Sequence, residues 1–392
     1  MIPYGKQAIS QSDIDAVIEV LNSPWLTQGP KIPEFESSVS SYCHVTHATA
    51  VNSATSALHI ACLALDVGHN DIVWTSPNSF VASANCALYC GAKIDFVDID
   101  ADTGNMCINA LESKLIAAKK NNALPKVVIP VHFAGQSCDM ESLHKLSVEY
   151  DFRIIEDASH AIGGQYKNSP VGNCQYSDIC IFSFHPVKIV TSAEGGMALT
   201  NCKDLDEKLK LYRSHGITAV PDLLEQDSDG PWYYEQQTLG FNYRMTDIHA
   251  ALGISQLDQL DQFVSKRNEL AAHYDTLFTK HDEISPLRQS NDAYSAYHLY
   301  VVRIANSSAQ LHRELVTELR AKNIFCHVHY IPIYLQPYYR KQGFEQGYCP
   351  NAESYYHSAV TLPLFPELTQ QEQDYIAATL VKTLTKLRNV EK

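Results

Sequence analysis

The 392-residue sequence contains no apolar stretch long enough to span a bilayer, and it lacks the hallmarks of several other protein classes. Its formal net charge of −14 argues against non-specific nucleic-acid binding, because that binding depends on basic residues that neutralise phosphates. The opening MIPYGKQAIS is followed by the polar QSDID and not by the apolar run of a signal peptide. We therefore predict a cytoplasmic protein that binds neither nucleic acid nor a membrane.

The eleven cysteines form no CxxC pair, and their number is odd. This pattern predicts reduced thiols, with neither a disulfide framework nor a zinc site. The histidine pairs His44/His47 and His327/His329 have no HExxH motif and no carboxylate at ligand spacing beside them. We therefore predict that the protein holds no metal.

From His47 onward, short apolar runs alternate with segments of helical periodicity. Seven of these runs are strand candidates: HATAVN, DIVWTS, KIDFVDID, KVVIPVHF, FRIIED, DICIFSF and GMALT. Strands that alternate with helices predict an α/β fold with a mainly parallel seven-stranded sheet, covered on both faces. Ligands bind such sheets at the carboxyl ends of the strands, so functional residues are expected directly after each run.

Two helical patterns flank this region. QSDIDAVIEVLN predicts a helix near the start of the chain, capped by Ser12 or Asp13. QLDQLDQFVSKRNELAAHYDTLF predicts a long amphipathic helix leading to a second unit, where SAYHLYVVRI and NIFCHVHY are strand candidates. We predict a large α/β domain over residues 13–254 and a smaller C-terminal α+β domain over residues 255–392, on which residues 1–12 pack.

The segment DICIFSFHPVKIVTSAEGG contains Lys188, the residue on which we expect the chemistry to depend. The strand pattern runs to Phe184, Pro186 breaks it, and Gly195-Gly196 closes the loop. An amine at the mouth of an apolar strand is desolvated, which favours its neutral, nucleophilic form. On this segment alone a solvated loop lysine is the simpler interpretation, so the assignment depends on other residues.

Further candidate residues follow other strand runs. Residues 53–56 (SATS) open a helix, whose free N–H groups and dipole favour a phosphate. Phe80 places an aromatic ring after DIVWTS, and Asp157 ends FRIIED, where a buried carboxylate requires a cationic or hydrogen-bonding partner. His160 follows within reach of the same ligand. Each group also has a structural interpretation, as a helix cap, a core ring or a buried polar residue.

One cofactor, pyridoxal 5′-phosphate (PLP), uses all of these groups. Its aldehyde requires a lysine amine, its ring nitrogen a carboxylate, its phosphate a helix start with hydroxyls, and its ring face an aromatic. We assign these functions to Lys188, to Asp157, to residues 53–56 with Ser183, and to Phe80. Asp157 would keep the ring nitrogen protonated, so that the ring accepts electrons, and Lys188 would serve as general base and acid.

The motifs WLTQGP, NSATSALH, EDASHAIGG, FSFHPVKIVTSAEGG, RSHGI, GFNYRMTDIHAALG and HVHYIPIYLQPYY follow one another along the chain. On these motifs the chain resembles the sugar-nucleotide aminotransferases of the DegT/DnrJ/EryC1 type, which have the PLP-dependent fold type I of aspartate aminotransferase. MIPYGKQ, HPVK and VHYIPIY are most similar to members that aminate C4 of a UDP-linked 4-keto-6-deoxy-N-acetylhexose in pseudaminic acid biosynthesis. Alternatives are UDP-4-keto-arabinose, whose aminotransferase shares the FSFH…K…T…AEGG frame, and dTDP- or GDP-4-keto-6-deoxyhexoses.

The resemblance implies functions for individual residues, with Lys188, Asp157 and His160 as the catalytic ones. The residues expected to bind the cofactor are Ser53, Ala54, Thr55, Phe80, Asp157, His160, Ser183, Lys188 and Asn242. Those expected to bind the sugar nucleotide or the amino donor are Tyr4, Pro24, Trp25, Leu26, Thr27, Arg213, Arg244, His329, Tyr330, Ile333 and Tyr334. Many relatives carry glutamine in place of His160, so its location is better defined than its function.

The resemblance also implies partners. Asn242 would reach the cofactor of a neighbouring subunit, which predicts a homodimer with shared active sites. L-Glutamate, 2-oxoglutarate and a UDP-linked 4-keto amino-sugar are the expected small-molecule partners. Two other classes were considered: a dehydratase of the same family, which would carry histidine in place of Lys188, and a non-catalytic α/β ligand-binding protein. The second would not need a lysine, an aspartate and a phosphate site together.

Overall fold

The computed structural model describes residues 1–390. Its β-strands are β1 (Ile2–Pro3), β2 (His47–Val51), β3 (Ile72–Thr75), β4 (Lys93–Phe96), β5 (Val127–Ile129), β6 (Arg153–Asp157), β7 (Gln165–Tyr166), β8 (Ser169–Pro170), β9 (Ile179–Ser183), β10 (Gly196–Thr200), β11 (Ile217–Thr218), β12 (Glu235–Gln236), β13 (Ile284–Pro286), β14 (Ala293–Tyr294), β15 (Tyr300–Ile304), β16 (Ile324–Phe325) and β17 (Ala359–Leu362). Its α-helices are α1 (Gln11–Leu21), α2 (Lys31–Cys43), α3 (Ala54–Ala64), α4 (Ala82–Tyr89), α5 (Ile108–Lys120), α6 (Met140–Tyr150), α7 (Lys203–Arg213), α8 (Asp247–Leu257), α9 (Leu260–Phe278), α10 (Ala309–Ala321), α11 (Pro337–Arg340), α12 (Pro350–Tyr356) and α13 (Gln370–Val390).

A seven-stranded sheet in the order β2-β10-β9-β6-β5-β3-β4 forms the centre of the fold. Neighbouring strands from β9 to β4 are parallel, whereas β10 runs antiparallel to both β2 and β9. Val128 and Ile129, consecutive residues of β5, pack into different core clusters, so both faces of the sheet are buried. The seven strands coincide with the seven apolar runs of the sequence, and the predicted mainly parallel sheet is confirmed.

A smaller α+β unit follows the central sheet. Its antiparallel sheet has the order β13-β15-β17, and its core includes residues of α9, α10 and α13. Strand β1 pairs in parallel with β16, which places the first residues of the chain beside this unit. The boundary that we predicted between residues 254 and 255 falls inside α8.

Two local predictions are wrong. The cap of α1 is Ser10, not Ser12 or Asp13: the Asp13 N–H donates to Ser10 Oγ at 3.3 Å, and the Ser10 N–H donates to the Asp13 carboxylate at 2.8 Å. This capping box satisfies two amides at once, and the helix starts at Gln11, two residues before Asp13. The long amphipathic helix is interrupted at Asp258 and Gln259, which separate α8 from α9.

Within residues 1–390, no helix combines the length and the apolar character needed to cross a membrane. All eleven cysteines carry free thiols, and eight of them are buried. Burial raises the pKa of buried thiols such as Cys43 and Cys349, which keeps them protonated at neutral pH. In the same part of the chain, no group of three or more His, Cys, Asp or Glu side chains could hold a metal ion.

Candidate active site

A cavity of about 360 Å³ lies at the carboxyl ends of β2, β3, β5, β6 and β9. Parallel strands bring their carboxyl ends to one edge, so residues distant in sequence meet there. The predicted site residues that line the cavity are Tyr4, Ser53, Ala54, Thr55, Phe80, Asp157, His160, Ser183, Lys188, His329 and Tyr330.

Lys188 lies in the loop between β9 and β10, and hydrogen bonds tie the two ends of this loop together. The Phe184 N–H donates to the Gly195 carbonyl at 2.9 Å, and the Ser192 N–H donates to the Phe184 carbonyl at 3.0 Å. Desolvation lowers the pKa of Lys188 to about 8, against the opposing effect of the Asp157 charge. The amine is therefore neutral, and nucleophilic, more often than an ordinary lysine at neutral pH.

Gly196, at the start of β10, lets this loop close against the start of α3. A Cβ atom at this position would lie 2.4 Å from the backbone nitrogen of Ala54 and 2.5 Å from the carbonyl carbon of Ser53. Only glycine allows backbone segments to approach so closely. The lysine loop is thus fixed directly beside the predicted phosphate site.

The carboxylate of Asp157 is buried and hydrogen-bonded. Ser83 Oγ donates to Oδ2 at 2.6 Å, and the Ser159 N–H donates to Oδ1 at 3.2 Å. Ser83 Oγ also shares a hydrogen bond of 2.7 Å with Ser79 Oγ. These contacts orient the carboxylate and offset part of the cost of burying it. Ser83 was not predicted from the sequence, where its signal is a serine four residues after Ser79.

Helix α3 begins at the edge of the cavity. Ser53 is its N-cap, and its Oγ accepts a hydrogen bond from the Ser56 N–H at 3.1 Å. The N–H groups of Ala54 and Thr55, in the first turn, have no acceptor within their own helix. Together with the Ser183 hydroxyl, which also lines the cavity, they can donate to an anion. Ser53 is therefore a helix cap and a cavity residue at once.

His160 is only 5% exposed and lies between two other rings. Its Nε2 is 3.3 Å from the Tyr330 hydroxyl, and its ring centroid is 4.3 Å from that of His298. Burial, followed by the charge of Lys188, lowers the pKa of His160 well below its usual value, so its ring is neutral. Its buried Nδ1 has no hydrogen-bond partner among residues 1–390. A ligand atom would satisfy this nitrogen.

An aromatic wall, formed by Tyr4, His327, His329 and Tyr330, lines the cavity. The Tyr4 ring centroid is 5.2 Å from that of His329 and 5.5 Å from that of His327. His329 Nδ1 is 2.9 Å from Thr361 Oγ1, and burial lowers the pKa of His329 to about 3. The wall therefore offers neutral rings and hydroxyl groups to a ligand. His327 was not among the site residues predicted from the sequence.

Nine of the predicted residues do not line the cavity of the single chain. Four of them form an exposed loop: Pro24, Trp25, Leu26 and Thr27. The Asp247 carboxylate holds the end of this loop, because it accepts hydrogen bonds from the Gly29 and Lys31 N–H groups at 2.6 and 2.8 Å. The loop is thus anchored at its base but presents its side chains to solvent.

The remaining five predicted residues have other surroundings. Asn242 is exposed, and Arg244 forms a β-bridge with Val51, just before the start of α3. Arg213 makes an ion pair of 2.6 Å with Glu36. Ile333 and Tyr334 are completely buried in the core beside the cavity. Substrate contacts by these residues stay a prediction.

The cavity residues fit PLP. A lysine of lowered pKa, a buried carboxylate, a helix start with donors and a histidine nitrogen without a partner line or adjoin one space. These are the groups that bind the aldehyde, the ring nitrogen, the phosphate and the ring hydroxyl of this cofactor.

Comparison with known proteins extends this fit to the whole chain. The sequence profile of the DegT/DnrJ/EryC1/StrS aminotransferase family matches residues 7–381. A Campylobacter jejuni relative, UDP-4-amino-4,6-dideoxy-N-acetyl-beta-L-altrosamine transaminase, is 39% identical over 388 residues, which cover 99% of each chain.

Solved structures show the same similarity in three dimensions. Helicobacter pylori PseC, an aminotransferase involved in the biosynthesis of pseudoaminic acid, has a TM-score of 0.89 and 34% identity, covering 98% of this chain and 99% of its own. Spr1654 of Streptococcus pneumoniae, in its PLP form, has a TM-score of 0.89 and 31% identity, with 98% and 99% of the two chains covered. The similarity therefore extends over nearly the whole chain.

Proposed function

This chain belongs to the DegT/DnrJ/EryC1/StrS aminotransferase family and is a PLP-dependent transaminase, and on that premise we propose its substrates. The amino donor is glutamate, and the acceptor is C4 of a UDP-linked 4-keto-6-deoxy-N-acetylhexose of pseudaminic acid biosynthesis. The full-length match to a relative named for such a sugar supports this acceptor. The observation that carries the proposal is the cavity in which Lys188 and Asp157 meet the start of α3. The free thiols fit the reducing cytoplasm as its location.

The residues proposed to hold PLP surround it on several sides. Lys188 would bind the aldehyde, and Asp157 would bind the ring nitrogen. The phosphate would accept hydrogen bonds from the N–H groups of Ala54 and Thr55 and from the Ser183 hydroxyl. Bound PLP supplies an electron sink, which stabilises the charge left on carbon when a substrate C–H bond breaks.

Lys188 is also the proposed proton carrier. With a pKa of about 8, its amine can both accept and return a proton near neutral pH. The neutral His160 cannot compete as an acid, because burial keeps it unprotonated. Lys188 would therefore remove the Cα proton of the amino donor in the first half-reaction and donate a proton to C4 of the sugar in the second.

The aromatic wall is the proposed binding surface for the sugar nucleotide. Tyr4, His329 and Tyr330 present ring faces for stacking and polar atoms for hydrogen bonds. Phe80, 61% exposed, adds an aromatic ring at the mouth. A small apolar amino acid would not require such a surface.

The substrate proposal predicts a ping-pong reaction between glutamate and the UDP-linked 4-keto-6-deoxy-N-acetylhexose, with the product amine on C4. Initial rates against a panel of UDP-, dTDP- and GDP-linked 4-keto sugars, followed by NMR of the product, provide the measurement. Faster turnover of UDP-4-keto-arabinose, a preference for dTDP- or GDP-sugars, or amination at C3 would each contradict the proposed acceptor.

We further infer that the protein acts as a homodimer with shared sites. A single chain exposes an apolar stripe on α1, with Ile14, Ile18 and Leu21 each 46–56% exposed. Trp25 is 56% exposed in the neighbouring loop. Exposed apolar groups of this kind favour a protein interface. Asn242 is exposed in the same chain and is proposed to reach the partner's cofactor phosphate.

A hybrid-dimer experiment tests the shared site. When Lys188→Ala and Asn242→Ala proteins are mixed and exchange subunits, one site of each hybrid contains neither lesion. Random exchange should therefore restore roughly a quarter of the native rate, provided that each variant alone is strongly impaired.

A mixture of Lys188→Ala with Asp157→Asn is the matched control, because both residues belong to the same cavity of one chain. In those hybrids every site keeps one lesion, so no activity should return beyond that of the parent proteins. If the first mixture also gains nothing although subunit exchange is demonstrated, the shared site is contradicted.

A further inference from the structure

A buried hydrogen bond between His132 and Glu156 lies behind Asp157, where consecutive residues of β6 point to opposite faces of the sheet. We propose that His132 and Glu156 are positioning residues, which fix the Asp157 carboxylate in the orientation that the cofactor ring nitrogen requires. The inference rests on the proposed assignment of Asp157 to that nitrogen.

The contact itself is short and shielded from water. His132 Nε2 is 2.7 Å from Glu156 Oε2, and the two residues are 0% and 5% exposed. The hydroxyl of Ser177 donates to the other carboxylate oxygen of Glu156. The Cys138 N–H donates to His132 Nδ1 at 3.2 Å, which fixes the ring from its other side. Every polar atom of the two side chains therefore has a partner.

The direction of the His132–Glu156 hydrogen bond follows from the Cys138 amide. The Cys138 N–H can only donate, so it requires an unprotonated Nδ1 and hence the neutral tautomer with its proton on Nε2. We assign that tautomer. In either protonation state Nε2–H donates to Glu156, so the contact between the two residues is the same.

The backbone connects this pair to Asp157 on both sides. The Asp157 N–H donates to the Pro130 carbonyl at 2.9 Å, and the His132 N–H donates to the Asp157 carbonyl at 3.0 Å. The His132 side chain then returns to Glu156, the residue that precedes Asp157. A closed ring of hydrogen bonds thus surrounds the main chain of Asp157 and links its β6 position to the end of β5.

The network has no contact of its own with the substrate cavity, since neither His132 nor Glu156 lines it. A buried polar network in which every group is paired makes the structure around it rigid. Removal of one hydrogen-bonding partner leaves a buried polar group unpaired, which costs free energy. The side chain of Asp157 has hydrogen bonds to Ser83 and Ser159. Its main chain pairs with Ile181 of β9 on one side and is held on the β5 side by the ring described above. A small displacement of a catalytic group costs up to about a hundredfold in rate.

The test compares Glu156→Ala with the isosteric Glu156→Gln. Glutamine can still accept from His132 and donate to Ser177, so kcat should stay within about threefold of native. Alanine removes the contact, and kcat should fall roughly tenfold to a hundredfold with less change in KM for the sugar. The dissociation constant of PLP, from titration of the cofactor-free protein, should rise for Glu156→Ala as well.

Combination with Asp157→Asn separates positioning from general damage. If Glu156 acts through Asp157, adding Glu156→Ala to Asp157→Asn should lower kcat by less than about threefold, whereas independent effects would multiply. Multiplied effects, or a folded Glu156→Ala protein with native kcat and PLP affinity, would overturn the positioning role. A native rate for Asp157→Asn alone would instead refute the assignment of Asp157.

Ser177→Ala provides a milder test should Glu156→Ala fail to fold, as judged by circular dichroism. It removes a single hydrogen bond from the Glu156 carboxylate. A twofold to fivefold loss in kcat that disappears in the Asp157→Asn background would support the proposal. An unchanged kcat, or a loss that persists in that background, would refute it.

Discussion

The Lys188→Ala protein should fold normally and show no measurable transamination. Lys188 is the only lysine that lines the cavity among the described residues, and its pKa is lowered to about 8. At pH 7 roughly a tenth of such an amine is neutral, about 300-fold more than for a lysine with a pKa of 10.5. Alanine removes both the covalent attachment of the cofactor and the proton carrier, so the loss should exceed that of any other single substitution.

Borohydride reduction of the PLP-loaded native protein, followed by peptide mapping, provides the direct measurement. The label should be found on Lys188 alone, and a label on another lysine would refute the assignment. Lys203→Ala is a suitable control, since that side chain is 77% exposed and forms an ion pair with Glu207. In the cofactor-free protein, Lys188 should react with an added aldehyde faster as the pH rises towards about 8, where deprotonation supplies the neutral amine.

The Asp157→Asn protein should retain part of its cofactor but lose at least roughly a hundredfold in rate. Asparagine can still hydrogen-bond to the ring nitrogen, yet it lacks the negative charge that keeps this nitrogen protonated. One well-placed electrostatic partner contributes about 3 kcal/mol to a transition state, which corresponds to this loss. Single-turnover rates with glutamate, together with the absorbance of the bound cofactor, provide the measurement.

Asp151→Asn is the matched control for the loss of a carboxylate. Asp151 is exposed in a left-handed conformation after α6, which asparagine also adopts readily. The Asp151→Asn protein should have the same rate as the native protein. A near-native rate for Asp157→Asn as well would show that the Asp157 carboxylate is only structural.

The strands and the residues at their carboxyl ends could be predicted because both depend on local pattern. Each strand of the central sheet is a short apolar run, and Lys188, Asp157 and Ser53 each follow or end such a run. Parallel topology then brings these ends to one edge without further information. The family expected from the motifs is also confirmed.

Side-chain partnerships could not be predicted, because they depend on distances between elements. Arg213 looked available for an anionic ligand, yet Glu36, 177 positions earlier, occupies its guanidinium. Ser83 looked like an ordinary helix residue until the fold placed it against Asp157. Tyr334 follows the aromatic wall in sequence, but its ring turns into the core.

The two sides of the cavity belong to different sheets. Lys188 and Asp157 are attached to the seven-stranded sheet, whereas Tyr4 follows β1, which pairs with β16, and His329 contacts Thr361 of β17. Tyr330 of the same wall is tied to the segment after β3, because its N–H donates to Asn78 Oδ1 at 3.1 Å, and the start of α9 packs into the core of the large unit through Leu260 and Val264. Contacts to both units therefore fix the distance between the wall and the amine, and a substrate has to match a spacing that the whole fold sets.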